Sequence, residues 1–333
     1  MINRVDSLAN PEPRLILRNR ILLTVFIVFV VFLSSIYISG LTGIESGDLS
    51  YSLKLAQDWL AGKNPYLPFE QYTDSTAVPY PFTAALLTVP LLWLPDKISG
   101  ATFSAIGAGL LAWLVLLNGR NWRLMMFASW PFVNSVMFAQ WSPYIVSMFF
   151  TPNLLPFLFV KPQIALPFVL TQKPSRIGLI LAFILVAASV ALYPSWPLDW
   201  IKSLHNYIGA PPLLVLPLGP ILLLALIRYR EKRSWLLLLM ALMPQRMIYD
   251  QLGVLFVAEN RKQMFFLVLW SWITLPVLVY FGGWYYVPWG WKNWVLIGSY
   301  LPALIVLLLP NIRRLFSASL SKITHSTAGE NNA

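Results

Sequence analysis

The feature that most constrains this chain is residues 21–41, an apolar run without a single charged side chain. A helix of that length spans about 30 Å, the thickness of the hydrocarbon core of a bilayer. Further apolar segments lie at residues 80–94, 101–117, 124–139, 177–192, 213–227, 265–281 and 295–309. Hydrophobic residues make up 58% of the chain and charged residues 11%, whereas soluble domains carry about 25% charged residues. The sequence therefore predicts an all-α polytopic integral membrane protein.

The basic residues indicate how the chain is oriented. Four arginines precede the first apolar run, and basic clusters recur between the later segments, at Arg120/Arg123, Lys173/Arg176, Arg228/Arg230/Lys232/Arg233, Arg261/Lys262 and Arg313/Arg314. Cytoplasmic loops are rich in Lys and Arg, so we expect a cytoplasmic N-terminus. The competing interpretation of residues 21–41, a cleaved signal peptide, would need a shorter apolar core of about 7–15 residues. The net charge of +11 then reflects topology, and no nucleic-acid partner is expected.

Some segments are too short or too interrupted to cross as ordinary helices. Residues 80–94 would rise only about 22 Å as a helix, so a re-entrant or partial segment is expected there. Six prolines interrupt residues 141–176, and Pro244 divides residues 234–258. Irregular backbone at membrane depth is tolerated only where it is packed in protein or lines a wet cavity. Both stretches are therefore predicted to form walls of a functional cavity.

The overall prediction is one transmembrane domain over residues 1–316, with about 8–10 spanning or re-entrant helices. A disordered cytoplasmic tail is expected at residues 317–333. Residues 42–78 form an external loop that carries five of the thirteen acidic residues. Within the loop, apolar residues recur at helical spacing, at Leu49, Leu53, Ala56 and Leu60, and polar residues that include Asp58 lie on the opposite face. This pattern predicts an amphipathic helix on the membrane surface. Gly62 is expected to end the helix.

Burying an ionisable group in a membrane costs free energy, so each such residue is a candidate for a structural or functional role. Asp48, just before the amphipathic helix, is either a helix N-cap or a catalytic carboxylate. Lys161 either extends from a helix end toward water or holds an anion, and Gln140 is expected near the same external surface. Arg246 and Tyr249 are suited to phosphate, although Arg246 and Asp250 have the spacing of an i, i+4 ion pair.

Several catalytic devices are absent from the sequence. The chain has no Cys and two His residues, which excludes disulfides and Cys nucleophiles and makes a His-based triad improbable. It has no Gly-rich phosphate loop, no His-rich metal motif and no nucleophile elbow. No metal and no cofactor are expected.

An ordered set of short motifs resembles the C-type glycosyltransferase (GT-C) superfamily, specifically the polyprenyl-phosphate-mannose-dependent glycosyltransferase family 87. The set begins with the first span, Gly47-Asp48 and Tyr51, and continues with Gly62-Lys63-Asn64-Pro65-Tyr66, Tyr80-Pro81-Phe82, Ala139-Gln140 and Lys161-Pro162. The family usually has Gly-Gln where this chain has Ala139-Gln140, Tyr-Pro-Pro at Tyr80-Pro81-Phe82, and a His near the late external loop that here contains Pro244-Gln245-Arg246. The motifs cover roughly residues 47–173.

The resemblance implies a GT-C-like helical bundle in the cytoplasmic membrane of a prokaryote. Such a protein moves a hexose, such as mannose, from a polyprenyl-phosphate sugar to a lipid or glycan acceptor outside the membrane. It favours Asp48 as the general base over Asp48 as a cap. The implied substrate-binding residues, which combine the motif positions with neighbouring polar residues, are Tyr51, Tyr66, Tyr80, Gln140, Lys161, Gln163, Arg246 and Tyr249.

Two other functions stay open at this point. Broken helices with buried charge also mark a small-solute or lipid transporter, but the sequence shows no internal repeat and its acidic residues concentrate in one loop. The short chain and the missing His would also fit a non-catalytic relative that acts in a membrane complex.

Overall fold

A computed structural model describes residues 13–67, 80–207, 209–246, 248–282 and 290–310. Helix accounts for 79% of the structure, and the described residues contain no β-strand beyond an isolated bridge between Ala210 and Gln245. The prediction of an all-α chain is confirmed. The predicted tail at 317–333 and residues 68–78 of the predicted external loop lie outside the described ranges.

The structure contains α-helices and 3₁₀ helices interspersed along the chain. The α-helices are α1 (Pro13–Thr42), α2 (Leu49–Leu60), α3 (Phe82–Thr88), α4 (Asp96–Leu117), α5 (Trp130–Met137), α6 (Ser142–Ser147), α7 (Pro162–Thr171), α8 (Arg176–Leu192), α9 (Trp196–Ser203), α10 (Lys232–Leu242), α11 (Arg261–Ser271), α12 (Thr274–Phe281) and α13 (Gly290–Val295). The 3₁₀ helices are Val89–Trp93, Asn121–Ala128, Pro152–Phe159, Leu204–Asn206, Pro212–Leu214, Gly219–Arg228 and Ile248–Val257.

Four helical segments are long and apolar enough to cross a membrane: Leu17–Thr42, Asp96–Leu117, Arg261–Phe281 and Gly290–Pro310. The pair α8 and α9, bent by 91°, would provide a fifth crossing if it is one span. The sequence predicts eight to ten spanning or re-entrant helices, and among the described residues four or five segments could cross by length. The remaining apolar segments are shorter because prolines interrupt them, as in α7, which begins at Pro162 and contains Pro167.

Helices α1 and α4 pack closely and run antiparallel. Gly109 of α4 lies against Val28, and Gly100, near the start of α4, lies against the backbone at Glu45, just beyond the end of α1. Glycines permit this close approach because they carry no side chain. Since α4 starts beside the end of α1, the intervening α3 and Val89–Trp93 enter and leave the bundle at the same end. This geometry agrees with the expectation of a partial segment at residues 80–94.

Four basic side chains lie together at the opposite end of the bundle. Arg120 and Arg123 follow α4, and they line one cavity together with Lys232 and Arg233 at the start of α10. Asp48 follows the other end of α1. We call the end of the bundle that carries Arg120, Arg123, Lys232 and Arg233 the basic end, and we call the end at which Asp48 follows α1 the Asp48 end. The predicted clustering of positive charge on one side of the protein is therefore seen for these four residues.

The predicted amphipathic helix is α2, but two of its residues were assigned to the wrong face. Leu49, Leu53 and Ala56 are buried as expected, and the helix packs against α3. Leu60 is 59% exposed because it lies in the last turn, whereas Asp58 is buried and forms an ion pair with Lys54 at 2.7 Å. Gly62 has φ +72° immediately after the helix, in agreement with its predicted role as terminator.

Candidate functional site

The backbone at Gly47 places Asp48 against a distant segment. The Asp48 N–H donates to the Phe138 carbonyl oxygen at 2.8 Å. Gly47 has φ +49°, and a Cβ atom there would lie 2.5 Å from the Phe138 carbonyl carbon. Only glycine tolerates both the left-handed conformation and this close contact. The start of α2 is thereby fixed to the loop that follows α5.

The Asp48 carboxylate does not act as a helix cap. Asp48 occupies the N-cap position of α2, but its side chain accepts no hydrogen bond from the helix. Its Oδ2 instead accepts hydrogen bonds from Gln140 Nε2 and, at 3.3 Å, from the Tyr249 hydroxyl. Between the two interpretations of Asp48, the geometry therefore favours a site residue.

Gln140 connects the carboxylate to a cation. Its side chain is 1% exposed, its Nε2 donates to Asp48, and its Oε1 accepts from Lys161 Nζ at 3.2 Å. The preceding Ala139 has φ +44°, a left-handed conformation that residues with a Cβ rarely adopt. This turn directs the Gln140 amide back toward α2.

Lys161 does not extend into water, so the first interpretation of this residue is wrong. It is 3% exposed, it immediately precedes α7, and its Nζ lies 2.6 Å from Asp250 Oδ1. The ammonium also lies 5.1 Å from the centre of the Tyr249 ring. A buried lysine is retained in the protein when a carboxylate compensates its charge, and Asp250 fulfils that role.

Asp250 is a site residue that the sequence-based list of site residues omits. Its expected partner was Arg246 through an i, i+4 ion pair. In the structure, Asp250 Oδ1 binds Lys161 and Oδ2 accepts from the Arg246 backbone N–H at 3.1 Å. No signal in a single sequence connects Lys161 and Asp250, because 89 residues separate them.

Pro244 interrupts the chain where Arg246 and Tyr249 enter the site. Gln245 secures the break: its Oε1 accepts from the Tyr300 hydroxyl at 2.6 Å and from Gln251 Nε2 at 2.8 Å. Arg246 is 6% exposed. Burial opposes its charge, but Tyr249, Asp48, Tyr207 and Asp250 raise the pKa of Arg246 above its usual value. The guanidinium therefore stays protonated.

Burial also determines the acidity of Asp48. Removal from water raises the pKa of the Asp48 carboxyl above its ordinary value, and the charge of Asp250 acts in the same direction. Lys161, the Gln140 hydrogen bond and Arg246 lower that pKa and offset part of the increase. A carboxyl with a raised pKa is a better proton acceptor when ionised, which suits a general base.

A cavity of about 250 Å³ adjoins the Lys161 side of the cluster. Its lining is mostly apolar and comprises Tyr80, Pro81, Val160, Lys161, Pro162, Gln163, Trp200, Leu204, Tyr207 and Pro244. Both interrupted stretches contribute to it, as predicted. The Tyr80 hydroxyl is buried and has no hydrogen-bond partner among the described residues, which is a costly arrangement unless a ligand supplies one.

The predicted binding residues therefore separate into groups. Gln140, Lys161, Arg246 and Tyr249 surround Asp48, while Tyr80 and Gln163 line the adjoining cavity. Tyr66 lies behind the cavity: its hydroxyl donates to the Tyr80 carbonyl oxygen at 3.0 Å, and its ring stacks on Tyr193. Tyr51 lies in the first turn of α2, half-buried against the core.

Within the described ranges, no group of three or more His, Asp or Glu side chains has the arrangement of a metal site. The residues of the site that can act on a ligand are two carboxylates, two cations, an amide and tyrosine hydroxyls. This set can move a proton and stabilise an anion.

Comparison of the chain with protein-family models, with curated proteins and with solved structures gives no significant match. The resemblance over residues 47–173 therefore stays a prediction from motifs.

Proposed function

We propose that this protein is a membrane glycosyltransferase that moves a hexose, such as mannose, from a polyprenyl-phosphate sugar to a lipid or glycan acceptor on the outer side of a prokaryotic cytoplasmic membrane. One observation carries the proposal. A carboxylate that caps no helix, Asp48, meets the buried cations Lys161 and Arg246 at one end of the bundle, although these residues are far apart in the sequence.

The chemistry is an inverting displacement. The acceptor hydroxyl oxygen attacks the anomeric carbon of the sugar and forms the new glycosidic bond, while the bond from that carbon to the phosphate oxygen breaks. The hydroxyl proton passes to Asp48, and the electron pair of the broken bond leaves with the lipid phosphate. General-base assistance of this kind contributes about 10²- to 10⁴-fold.

Lys161 and Arg246 would stabilise the leaving phosphate. Preorganised cations are most effective in a water-poor site, where the dielectric response is weak. Lys161 is paired with Asp250 at 2.6 Å, so an incoming phosphate shares or displaces that partner. Asp250 therefore maintains the ammonium in its buried position before the donor binds.

The cavity beside Lys161 would hold the donor sugar. Drug-sized ligands occupy pockets of about 300–1,000 Å³, so a cavity of about 250 Å³ suits a single hexose and no more of the donor. The Tyr80 hydroxyl and the Gln163 amide can bind its hydroxyl groups. The polyprenyl chain would then extend into the surrounding lipid.

The orientation follows from charge. Arg120, Arg123, Lys232 and Arg233 at the basic end satisfy the positive-inside rule if that end is cytoplasmic. The Asp48 end is then external, where a lipid-linked donor presents its sugar.

Asp48→Asn tests the proposal. The variant keeps the side-chain shape but removes the base, so transfer of radiolabelled mannose from polyprenyl-phosphate mannose into the lipid and glycan fractions of proteoliposomes should fall about 10²-fold or more. Asp58→Asn is the matched control, because Asp58 is a buried carboxylate on α2 whose partner is Lys54. Equal transfer by wild type and Asp48→Asn would exclude Asp48 as the base.

The buried Lys161–Asp250 ion pair also fits a transporter, since ionisable pairs at membrane depth mark ion and substrate pathways. A transporter would move labelled hexose or polyprenyl phosphate across the proteoliposome membrane without forming a new glycosidic bond. The same preparation distinguishes the two functions, because product formation and flux are measured separately.

A further inference from the structure

A second cavity, of about 340 Å³, lies at the basic end, away from Asp48. Four cationic side chains line it, Arg120, Arg123, Lys232 and Arg233, and the acidic residue among its lining is Glu259. Glu259 binds Arg233 at 3.0 Å, and Glu231 also binds Arg233. Arg233 is therefore compensated, while the other three cations have no acidic partner among the described residues.

Arg123 is the unusual member of this group. It is 3% exposed, yet no described carboxylate lies within ion-pair distance, and its buried Nε–H has no hydrogen-bond acceptor. Its guanidinium instead lies over aromatic rings, 4.8 Å from the centre of Phe149 and 5.4 Å from that of Phe256. Both rings also line the cavity.

Arginine is rarely buried unless its charge and its donors are satisfied. The aromatic rings supply some attraction to the charge, but they leave the buried Nε–H without an oxygen partner among the described residues. Burial and the charge of Arg120 lower the pKa of Arg123 to about 10, so the group is still protonated at neutral pH. The cavity therefore contains a positive charge whose Nε–H has no acceptor among the described residues.

We propose that the cavity at the basic end binds a phosphate group between the Arg123 fork and the cations of Arg120 and Lys232 at the rim. Planar guanidinium donors match phosphate oxygens in pairs, and several converging cations favour a dianionic group over a single carboxylate. The phosphate could come from the headgroup of an anionic lipid in the adjacent leaflet or from a soluble phosphate compound.

Binding can be measured on the purified full chain in zwitterionic nanodiscs by isothermal titration calorimetry, because the 15 Trp residues of the chain prevent a fluorescence signal from being assigned to Trp122 beside Arg123. Two probes separate the sources: inorganic phosphate, and phosphatidic acid with short acyl chains. We expect saturable binding of at least one probe, weakened by added salt. Binding of phosphatidic acid alone identifies a lipid headgroup, whereas binding of inorganic phosphate identifies a soluble ligand.

The main variant is Arg120→Gln combined with Lys232→Gln, because both side chains are exposed and the fold should tolerate their loss. We expect its dissociation constant to rise at least tenfold. Arg123→Lys keeps the charge but removes the fork, and we expect a similar loss. Arg230→Gln is the matched control: Arg230 is exposed, binds the Tyr229 hydroxyl and does not line the cavity.

Asp48→Asn, at the other end of the molecule, should bind the phosphate probes as wild type does. This separates the inference from the proposed sugar transfer, since one can fail without the other. The inference is overturned if neither probe binds, or if the double variant binds as tightly as wild type. In either case Arg123 would serve only to pack the aromatic rings.

Discussion

Gly47 and Ala139 both adopt left-handed backbone beside the candidate site, at φ +49° and φ +44°. They lie on either side of the contact between the Asp48 N–H and the Phe138 carbonyl. The position of the carboxylate therefore depends on two backbone conformations that most residues avoid.

For Gly47→Ala we expect loss of function together with reduced stability. The new Cβ would lie 2.5 Å from the Phe138 carbonyl carbon, so the start of α2 must move and Asp48 must leave Gln140. The strain should cost about 1–3 kcal/mol, measured by thermal unfolding in detergent. Gly43→Ala is a control, because Gly43 also has positive φ but its missing Cβ faces open space. Equal transfer activities of the two variants would contradict this account.

Ala139 gives the complementary prediction. Ala139→Gly should retain sugar transfer and equal or slightly exceed wild type in stability, since glycine adopts positive φ without steric cost. Ala139→Val should abolish transfer, because a β-branched residue is strongly disfavoured there and the site is buried. Transfer assays on both variants check this, and an active Ala139→Val would refute it.

The pH dependence of transfer reports on the environment of Asp48. Because burial raises the pKa of Asp48, the base form appears only above the ordinary aspartate value of about 3.9. We expect kcat/KM to rise with pH through a midpoint above that value.

The charges next to Asp48 predict the direction in which two substitutions should shift this pH midpoint. Asp250→Asn removes a negative charge that raises the Asp48 pKa, so the midpoint should move to lower pH. Arg246→Gln removes a positive charge that lowers it, so the midpoint should move to higher pH. Shifts in the same direction in both variants would contradict the assignment of Asp48 as the titrating base.

At the level of single residues, the sequence was sufficient to select Asp48, Gln140, Lys161, Arg246 and Tyr249, because polar groups are rare in this chain and each needed a reason. The sequence was not sufficient to predict the ion pair between Lys161 and Asp250. Local spacing favoured Arg246 as the partner of Asp250, whereas the tertiary fold places a lysine 89 residues earlier beside that carboxylate.

Among the elements, the Lys161–Asp250 pair joins the start of α7 to the 3₁₀ helix Ile248–Val257. Breaking a buried pair leaves one charge uncompensated and typically costs about 3–5 kcal/mol. We expect Lys161→Met and Asp250→Asn each to lower the unfolding temperature substantially. The double variant should lose much less than the sum of the two, because no lone charge remains.

Thermal unfolding of the four proteins completes this double-mutant cycle. Lys54→Met and Asp58→Asn provide a half-exposed reference pair, since the Lys54 side chain is 50% exposed and that of Asp58 is 7% exposed. Screening by water should make their coupling smaller than that of Lys161 and Asp250. Strictly additive losses for Lys161 and Asp250 would mean that their contact does not stabilise the fold.

The sequence predicted where apolar elements lie better than it predicted their lengths. Residues 141–176 and 234–258 were expected to be interrupted, because proline cannot continue a helix, and they are. The burial of Asp58 and the exposure of Leu60 on α2 were missed. Periodicity identifies an amphipathic helix, but the neighbouring α3 determines which residues it buries.

For the whole molecule, the antiparallel packing of α1 and α4 predicts that the loop after α2 and the turn after α4 lie on opposite sides of the membrane. The chain has no Cys, so single cysteines can be introduced at the exposed Lys63 and Asn118. In intact spheroplasts, an impermeant maleimide should label Lys63→Cys at once. It should label Asn118→Cys only after permeabilisation. Labelling of both positions from one side would refute the proposed crossing of α4.

The grouping of four basic residues at one end of the molecule was predicted from the sequence, while the contacts between distant segments were not. Basic clusters predicted one positive end, and Arg120, Arg123, Lys232 and Arg233 share it. The meeting of residues 48, 140, 161 and 249 depends on how short helices pack. A single sequence carries no information on such packing.

The hydrogen bond from Tyr249 to Asp48 joins positions 201 residues apart, and this separation matters during synthesis. A nascent chain that has emerged from the ribosome only as far as α9 already contains the acidic residue, its amide neighbour and Lys161, but neither Asp250 nor Arg246. Until the segment that carries Asp250 is inserted, the ammonium lacks its counterion and must remain hydrated or held by the insertion machinery. The proposed enzyme would thus become competent only after the segment with Arg246, Tyr249 and Asp250 has been inserted, and no fragment that ends before this segment could transfer sugar.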